Sequence, residues 1–205
     1  MEDFNITKEE IAPGVIVYSN VISNIKNLYQ DIEDGLKVAN LKWDSAPMRL
    51  SSQGKIEYYQ RHIKSFIVPY QDGIKNLPTD NSPYKNFSIS LGNLFFNSFD
   101  PIEKDYMKTY KIKSYSHESY DILKYGSGEK FENHIDDIDL DHRRVSTVYY
   151  LNDNYSGGEI HFPRFNITFK PKANQMIVFP SSYVYNHSVS EVSDGIRYSI
   201  VSFFK

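Results

Sequence analysis

Cysteine is absent from the 205 residues of this sequence. The absence excludes disulfide bonds, metal sites built from thiolates, and catalysis by a cysteine nucleophile. It fits a reducing compartment, where disulfides are rare. No glycine-rich phosphate loop and no Ser/His/Asp nucleophile pattern stands out either, which disfavours two further common classes of enzyme.

Long apolar runs are also missing. The N-terminal segment MEDFNITKEE is acidic and has no apolar stretch of the kind that a signal peptide needs. No window reaches the ~20 apolar residues that a membrane-spanning helix requires. We therefore expect a cytoplasmic protein that makes no contact with a membrane.

An excess of positive charge is a third absence. The chain has 23 Lys and Arg against 26 Asp and Glu, which gives a formal net charge of −3, and the charges form no long blocks. Proteins that neutralise the phosphates of nucleic acids are usually basic. The charge balance therefore disfavours a nucleic-acid partner.

Aromatic residues, by contrast, are abundant, with 17 Tyr and 13 Phe, and this bias favours β-structure. A chain of this length can bury one sizeable core, so we expect a single domain over residues 1–205. The residue pattern changes along the chain. Residues 1–112 predict a helix-rich N-terminal support, and residues 113–205 predict a core of short strands.

The apolar spacing in the first part predicts one short strand and two amphipathic helices, over residues 14–18, 21–39 and 84–99. Asp100 and Pro101 have the pattern of an N-cap followed by the first helical position, which predicts a separate short helix over residues 102–110. We expect these helices to pack against the outside of a sheet.

The second part has short β-branched and aromatic stretches separated by turn signals, a pattern typical of a sandwich or barrel. It predicts eight strands, over residues 119–125, 130–136, 143–151, 159–162, 167–171, 175–179, 187–192 and 196–204. Eight short strands in about ninety residues suggest two sheets that face each other.

The chemistry concentrates in the segment KYGSGEKFENHID, which ends in His134 and Asp136. On a strand, a period of two places this imidazole and this carboxylate on the same face. A second histidine would complete two imidazoles and one carboxylate, the facial arrangement that holds non-haem Fe(II) and leaves positions open. His187, in VYNHSVSEV, is the best candidate, and Arg197 follows it in the last strand.

Other histidines compete for the role of ligand: His62, His117, His142 and His161. His142 lies in a charged loop and is expected in solvent. His161 lies on a predicted strand, where a position near the site is an alternative to packing.

Several segments carry a family resemblance when they are taken together in order: YGSGEKFENHID, STVYYLND, SGGEIHF, MIVFPS, NHSV and RYSIVSFF. Over residues 120–204 the chain resembles the Fe(II)/2-oxoglutarate dioxygenases, and among them the prolyl 4-hydroxylase group. The resemblance implies a double-stranded β-helix, which is a jelly-roll or cupin-like barrel, with the N-terminal helices packed outside. The expected fold class is therefore α+β, mainly β.

The resemblance also implies roles for residues of the site. His134, Asp136 and His187 would be the catalytic metal ligands, and Arg197 would pair with the distal carboxylate of 2-oxoglutarate. A guanidinium supplies a planar fork for such a carboxylate, whose burial without a partner would be costly. Tyr125 and Tyr150 would complete the co-substrate pocket. Tyr149, next to Tyr150 on the same strand, should point to the other face.

The activity implied by the resemblance is hydroxylation of a C–H bond, with release of succinate and CO2. Its cofactors would be Fe(II), 2-oxoglutarate and the accessory reductant ascorbate, and its partner a proline-containing peptide or protein. The substrate entry should be built from loops over residues 43–54, 136–141 and 181–186, which include Trp43.

Three alternatives stay open at this point. The first is hydroxylation of a free small molecule. The second is oxidative demethylation of nucleic acid, but the alkylation-repair enzymes carry a second Arg soon after the first, and here Arg197 is followed by YSIVSFF. The third is a non-catalytic cupin-like metal-binding module, which would have no use for a buried Arg197 opposite the metal.

Overall fold

The computed structural model describes residues 5–23, 27–45, 64–68, 83–113, 116–137 and 142–205. Residues 46–54 and 138–141, which belong to two of the predicted entry loops, lie outside this part, as does His62. The helices are α1 Leu28–Val38 and α2 Pro83–Thr109, and short 3-10 turns cover Pro163–Phe165 and Tyr183–Tyr185.

The strands are β1 Thr7–Ala12, β2 Val15–Ser19, β3 Asp44–Ser45, β4 Lys64–Val68, β5 Tyr120–Tyr125, β6 Phe131–His134, β7 Val145–Tyr150, β8 Ser156–Gly157, β9 Ile160–Phe162, β10 Ile167–Phe169, β11 Gln175–Pro180, β12 His187–Val189, β13 Val192–Asp194 and β14 Arg197–Phe204. They form a large antiparallel sheet in the order β1-β2-β11-β7-β14-β5-β4-β3 and a small sheet in the order β10-β9-β12-β6. β13 and β8 form a separate ribbon. Strands β1 to β4 come from the N-terminal part and extend the large sheet on both sides.

The two sheets pack face to face, as predicted. Phe162 of the small sheet meets Phe179 of the large one in an edge-to-face contact, with ring centroids 5.1 Å apart. Both belong to a buried cluster that also contains Tyr150 and Ile177 of the large sheet and Ile160 of the small one. The inner faces of the two sheets therefore share a core.

The helices cover the outer face of the large sheet, which confirms the predicted packing. Alternate residues of β7 divide between the two sides. Tyr149 packs in the outer cluster with Phe99 of α2 and Ile32 of α1, whereas Tyr150 lies in the inner cluster. The period of two in a buried strand thus places every second side chain toward the small sheet, where the candidate site lies.

Helix α1 begins later than the apolar spacing predicts. Val21 and Ile22 are buried, but Asn174 binds the backbone of both in place of a helical turn. The amide of Ile22 donates to Asn174 Oδ1 at 2.8 Å, and Asn174 Nδ2 donates to the carbonyl of Ile22 at 3.0 Å. The helix starts only after Asn27, which adopts the left-handed conformation with φ of 65°.

The prediction of two helices separated at Pro101 was wrong, because α2 continues through it. The exposed Pro101 costs the helix one backbone hydrogen bond, to the carbonyl of Asn97, which is also exposed. Buried side chains continue on both sides of the proline at helical spacing: Phe95, Phe99, Ile102 and Tyr106. Burial of this stripe outweighs the lost bond. Among the described residues, no helix combines the length and apolarity required to cross a membrane.

Candidate active site

His134, Asp136 and His187 meet at one end of the small sheet. His134 is the last residue of β6, His187 is the first of β12, and the two lie opposite each other in the antiparallel register. One ligand atom from each of the three residues lies within 4.8 Å of the others. His134 Nε2 is 3.5 Å from Asp136 Oδ1, and His187 Nε2 is 3.7 Å from Asp136 Oδ2. Although β6 stops before Asp136, the bend after it keeps the carboxylate beside both imidazoles.

Both imidazoles are oriented in the same way. The Nδ1 atom of His134 lies 2.8 Å from the carbonyl of Glu132, and that of His187 lies 3.0 Å from the carbonyl of Tyr185. A carbonyl oxygen can only accept, so each neutral ring carries its proton on Nδ1 and keeps a lone pair on Nε2. This is the tautomer in which a histidine binds a metal through Nε2 while the other ring nitrogen is fixed by an outer partner.

The Asp136 carboxylate is held by a short chain of hydroxyls. Ser146 Oγ on β7 donates to Asp136 Oδ2 at 2.7 Å, and Ser181 Oγ lies 2.8 Å behind Ser146 Oγ. All three side chains are buried. Burial raises the pKa of Asp136, but His187, His134 and Ser146 together lower it by more. The pKa of this carboxyl therefore lies well below its usual range. The carboxylate is therefore ionised and able to bind a cation.

Aromatic rings pack against the two imidazoles. Phe131 packs against His134 with ring centroids 3.6 Å apart, and Phe179 meets His187 edge-on at 4.8 Å. Phe162 lies 5.6 Å from the His187 ring. Such walls fix the rings by packing and keep water away from that side of the cluster.

Arg197 opens β14 and is almost completely buried, with 1% of its surface exposed. Its Nη1 donates to Ser199 Oγ at 3.0 Å. Its guanidinium carbon lies 4.6 Å from the ring centre of Tyr125, its direct partner on β5, and 5.1 Å from that of Tyr150 on β7. The structure thus brings together the three residues that the resemblance assigned to the co-substrate.

This pocket contains buried polar atoms that the described residues do not satisfy. Arg197 Nε and the Tyr150 hydroxyl are buried and have no hydrogen-bond partner of regular geometry in the part of the chain that is described. Burial lowers the pKa of Arg197, but neighbouring tyrosines raise it more, so its guanidinium stays charged. An unpaired buried charge is costly. A carboxylate is the group that these donors fit, since it accepts from a guanidinium and a phenol together.

The other predicted positions are distributed as follows. Tyr149 lies on the outer face, where its hydroxyl donates to Asn174 Oδ1 at 3.0 Å. His161 is the middle residue of β9, between the buried Ile160 and Phe162, and it lies opposite Ser188 on β12. Its Nδ1 lies 3.0 Å from Thr168 Oγ1. His117 packs edge-on against Phe204, which belongs to the outer cluster. His142 is exposed, as predicted.

Ser146 is the neighbour of Asp136 that the sequence does not reveal. It is one serine in a β-branched strand and belongs to no motif with the two histidines. β7 belongs to the large sheet and β6 to the small one, so only the packing of the two sheets brings its hydroxyl to the carboxylate. Alternation along β7, starting from Tyr150 as an inward residue, is the one signal that would have placed Ser146 on the inner face.

Comparison with known proteins agrees with this architecture. The model of the 2OG-Fe(II) oxygenase superfamily matches residues 120–205. A PKHD-type hydroxylase from Prochlorococcus marinus strain NATL2A is 30% identical over 158 residues, which cover 70% of this chain and 69% of the relative.

Solved structures show the same fold at low identity. A Pseudomonas putida prolyl-4-hydroxylase has a TM-score of 0.63 at 15% identity, covering 94% of this chain and 92% of that one. A Trichoplax adhaerens prolyl hydroxylase, in complex with a peptide fragment of the hypoxia-inducible factor oxygen degradation domain, has a TM-score of 0.62 at 16% identity, covering 93% and 83%. The double-stranded β-helix with helices outside is thereby confirmed. The chain belongs to the 2OG-Fe(II) oxygenase superfamily as an enzyme of the prolyl 4-hydroxylase-like type, a family that implies Fe(II) and 2-oxoglutarate.

Proposed function

We propose that this enzyme hydroxylates a peptidyl proline, using O2 and 2-oxoglutarate and releasing succinate and CO2. One oxygen atom of O2 enters the substrate C–H bond and the other enters succinate. The observation that carries the proposal is a cluster of metal-ligand atoms on the small sheet together with the buried guanidinium of Arg197 on the facing side of the large sheet, whose Nε has no hydrogen-bond partner among the described residues.

His134, Asp136 and His187 are the proposed catalytic residues and metal ligands. Two neutral imidazoles and one carboxylate suit a divalent iron and leave the site with a net charge of +1. Three protein ligands also leave coordination positions open for the co-substrate and O2. When bound, Fe(II) supplies the redox chemistry that activates O2. The chain itself contributes ligand orientation, through the carbonyls behind each Nδ1 and the hydroxyl behind Asp136.

Arg197 is the proposed anchor of 2-oxoglutarate. Its fork pairs with the distal carboxylate, and the Tyr150 hydroxyl donates a further hydrogen bond to the same group. Tyr125, which faces Arg197 in the register of β5 and β14, forms a wall of the pocket and holds the guanidinium by contact with its ring. With the distal end fixed, the 2-oxo acid end is oriented toward the metal ligands on the facing sheet.

A peptidyl proline is the substrate class that the relatives favour. The solved neighbours described above are prolyl hydroxylases, and one of them holds a peptide. Ascorbate as an accessory reductant stays a prediction. The extent of the domain, over residues 1–205 with a strand-rich core from residue 113, is part of the same proposal.

The experiment is a substrate panel with Fe(II), 2-oxoglutarate and O2. Proline peptides are compared with the same peptides in which alanine replaces proline, with methylated oligonucleotides and with free amino acids. Each reaction is run with and without ascorbate. We expect succinate release and the gain of one oxygen atom by mass only with proline peptides. Asp136→Ala should abolish both signals, and His161→Ala should preserve them. Turnover confined to oligonucleotides or free amino acids would overturn the proline assignment.

A further inference from the structure

A third phenol reaches the Arg197 pocket. Tyr155 follows β7 in the turn before β8, and its side chain is buried. Its hydroxyl, like that of Tyr150 and like Arg197 Nε, has no hydrogen-bond partner of regular geometry among the described residues. A buried hydroxyl whose proton has no acceptor is unfavourable, because it has lost its bonds to water and has not regained all of them. Three such atoms in one pocket indicate a shared polar ligand.

Gly158 brings Tyr155 and Arg197 together. A Cβ atom on this glycine would lie 2.9 Å from Arg197 Cδ and 3.0 Å from Tyr155 Cε2. The tyrosine ring and the stem of the arginine therefore both pack on the bare face of Gly158. Its φ of +66° is a second reason for glycine here. The absence of a side chain at Gly158 thus lets the phenol of Tyr155 approach the guanidinium of Arg197.

The hydroxyl of Tyr155 is a donor at neutral pH. Burial raises its pKa, and the nearby Arg197 opposes this with a smaller effect, so the net pKa lies above the usual value. Arg197 has no acceptor atom. The proton of the phenol therefore finds no acceptor of regular geometry among the described residues and is available to a ligand.

Lys170 holds the ring and the backbone of Tyr155. Its Nζ lies 4.2 Å from the centre of the ring, and it donates hydrogen bonds to the carbonyls of Tyr155 and Gly157. A cation over the ring face and bonds to the backbone on either side fix the orientation of the phenol before any ligand binds. A preorganised donor loses little entropy on binding.

We infer that Tyr155 binds the distal carboxylate of 2-oxoglutarate together with Arg197 and Tyr150, and so contributes to selection of a 2-oxo acid that ends in a carboxylate. The inference rests on the proposed function. A carboxylate has about four lone-pair sites, enough for a guanidinium and two phenols. The matched test ligands are 2-oxoglutarate and 2-oxopentanoate, which has the same chain length but no distal carboxylate.

The experiment measures the affinity of the Mn(II) form for both ligands without O2. Tyr155→Phe should bind 2-oxoglutarate about tenfold more weakly than the parent, the loss expected for one hydrogen bond to a charged group. Its affinities for 2-oxopentanoate and for Mn(II) should not change. The control is Tyr149→Phe, which removes another buried hydroxyl, on the outer face of the sheet, and should bind both ligands as the parent does. The Tyr155 variant should fold, because the hydroxyl that it lacks makes no hydrogen bond of regular geometry with the described part of the chain.

Equal weakening of both ligands would overturn the inference, because it would mean that Tyr155 only shapes the pocket. Unchanged affinity of Tyr155→Phe for 2-oxoglutarate would overturn it as well. If the parent itself does not distinguish the two ligands, the assignment of Arg197 as co-substrate anchor fails, and with it the inference. The parent measurement therefore separates failure of the proposed function from failure of the role of Tyr155.

Discussion

Ser146 Oγ lies 2.7 Å from Asp136 Oδ2, and both side chains are buried. Because Ser181 Oγ lies 2.8 Å behind Ser146, the two hydroxyls form a chain that ends on one carboxylate oxygen. The other oxygen, Oδ1, receives no hydroxyl bond from the described residues and faces His134 Nε2. The hydroxyl chain therefore fixes the rotation of the carboxylate and leaves Oδ1 available to a metal.

Ser146→Ala should weaken metal binding without abolishing it. Outer partners of metal ligands typically contribute 10–100-fold to metal affinity, and we expect about tenfold here. The measurement is a Mn(II) titration followed by calorimetry. Thr147→Val is the matched control, because Thr147 lies next along β7 and its hydroxyl bonds to the carbonyl of Ser202 on the other face. Equal affinity in Ser146→Ala and parent would show that Asp136 needs no outer partner.

Replacement of the three ligands by alanine, one at a time, should have a larger effect. His134→Ala, Asp136→Ala and His187→Ala each remove one of three protein ligands, so high-affinity Mn(II) or Fe(II) binding should be lost while the fold persists. Calorimetry measures the affinity and circular dichroism the fold. His161→Ala serves as a histidine control outside the cluster. Normal metal affinity in any one of the three variants would remove that residue from the ligand set.

Substitutions at Arg197 should separate co-substrate binding from metal binding. Arg197→Ala should cost roughly 2–5 kcal/mol in 2-oxoglutarate binding, the range for removing one partner of a buried charge pair. Arg197→Lys keeps the charge but loses the fork, so its loss should be smaller. Tyr150→Phe should cost about 0.5–3 kcal/mol, as for one hydrogen bond.

The Arg197 measurement is an anaerobic titration of the Mn(II) form with 2-oxoglutarate. Metal affinity should stay unchanged in all three variants, since none removes a ligand. Loss of metal in Arg197→Ala, to the degree seen in the histidine variants, would instead make Arg197 a structural residue.

Glu103 should make the stability of the fold depend on pH. It lies on α2 with 3% of its surface exposed, and His117 Nε2 is 3.4 Å from its carboxylate. Burial raises the pKa of Glu103, Asp100 adds to this, and His117 opposes it with a smaller effect. A carboxyl with a raised pKa in the folded state stabilises the fold below its unfolded pKa. This contribution is lost as the pH rises through the folded value.

The free energy of unfolding should therefore fall above the ordinary pKa of 4.5, by about 1.4 kcal/mol per unit of pKa difference. Glu103→Gln should flatten this part of the profile. Denaturant unfolding between about pH 4 and pH 8, a range around the carboxyl and imidazole values, measures it. Glu9→Gln, at an exposed position, is the control. Parallel profiles for parent and Glu103→Gln would contradict the prediction.

Local patterns in the sequence predicted much of the architecture and the candidate site, because both depend on periodicity and spacing. The order of His134, Asp136 and His187 identified residues that the structure brings together. What the sequence did not predict depends on partners far along the chain. Ile22, which the sequence predicted to be helical, instead hydrogen-bonds through its backbone to Asn174, 152 residues further along the chain. Ser146 reaches its carboxylate only through the packing of the large sheet on the small one.

The most direct test of the account is a pair of 2-oxoglutarate titrations, one on the metal-free parent and one on the Mn(II) form, both without O2. If the metal ligands of the small sheet and Arg197 of the large sheet form one site, 2-oxoglutarate should bind through both its ends. The Mn(II) form should then bind one equivalent tightly, and the metal-free protein should bind it much more weakly. Equal affinity in the two forms, or no binding in either, would contradict the account.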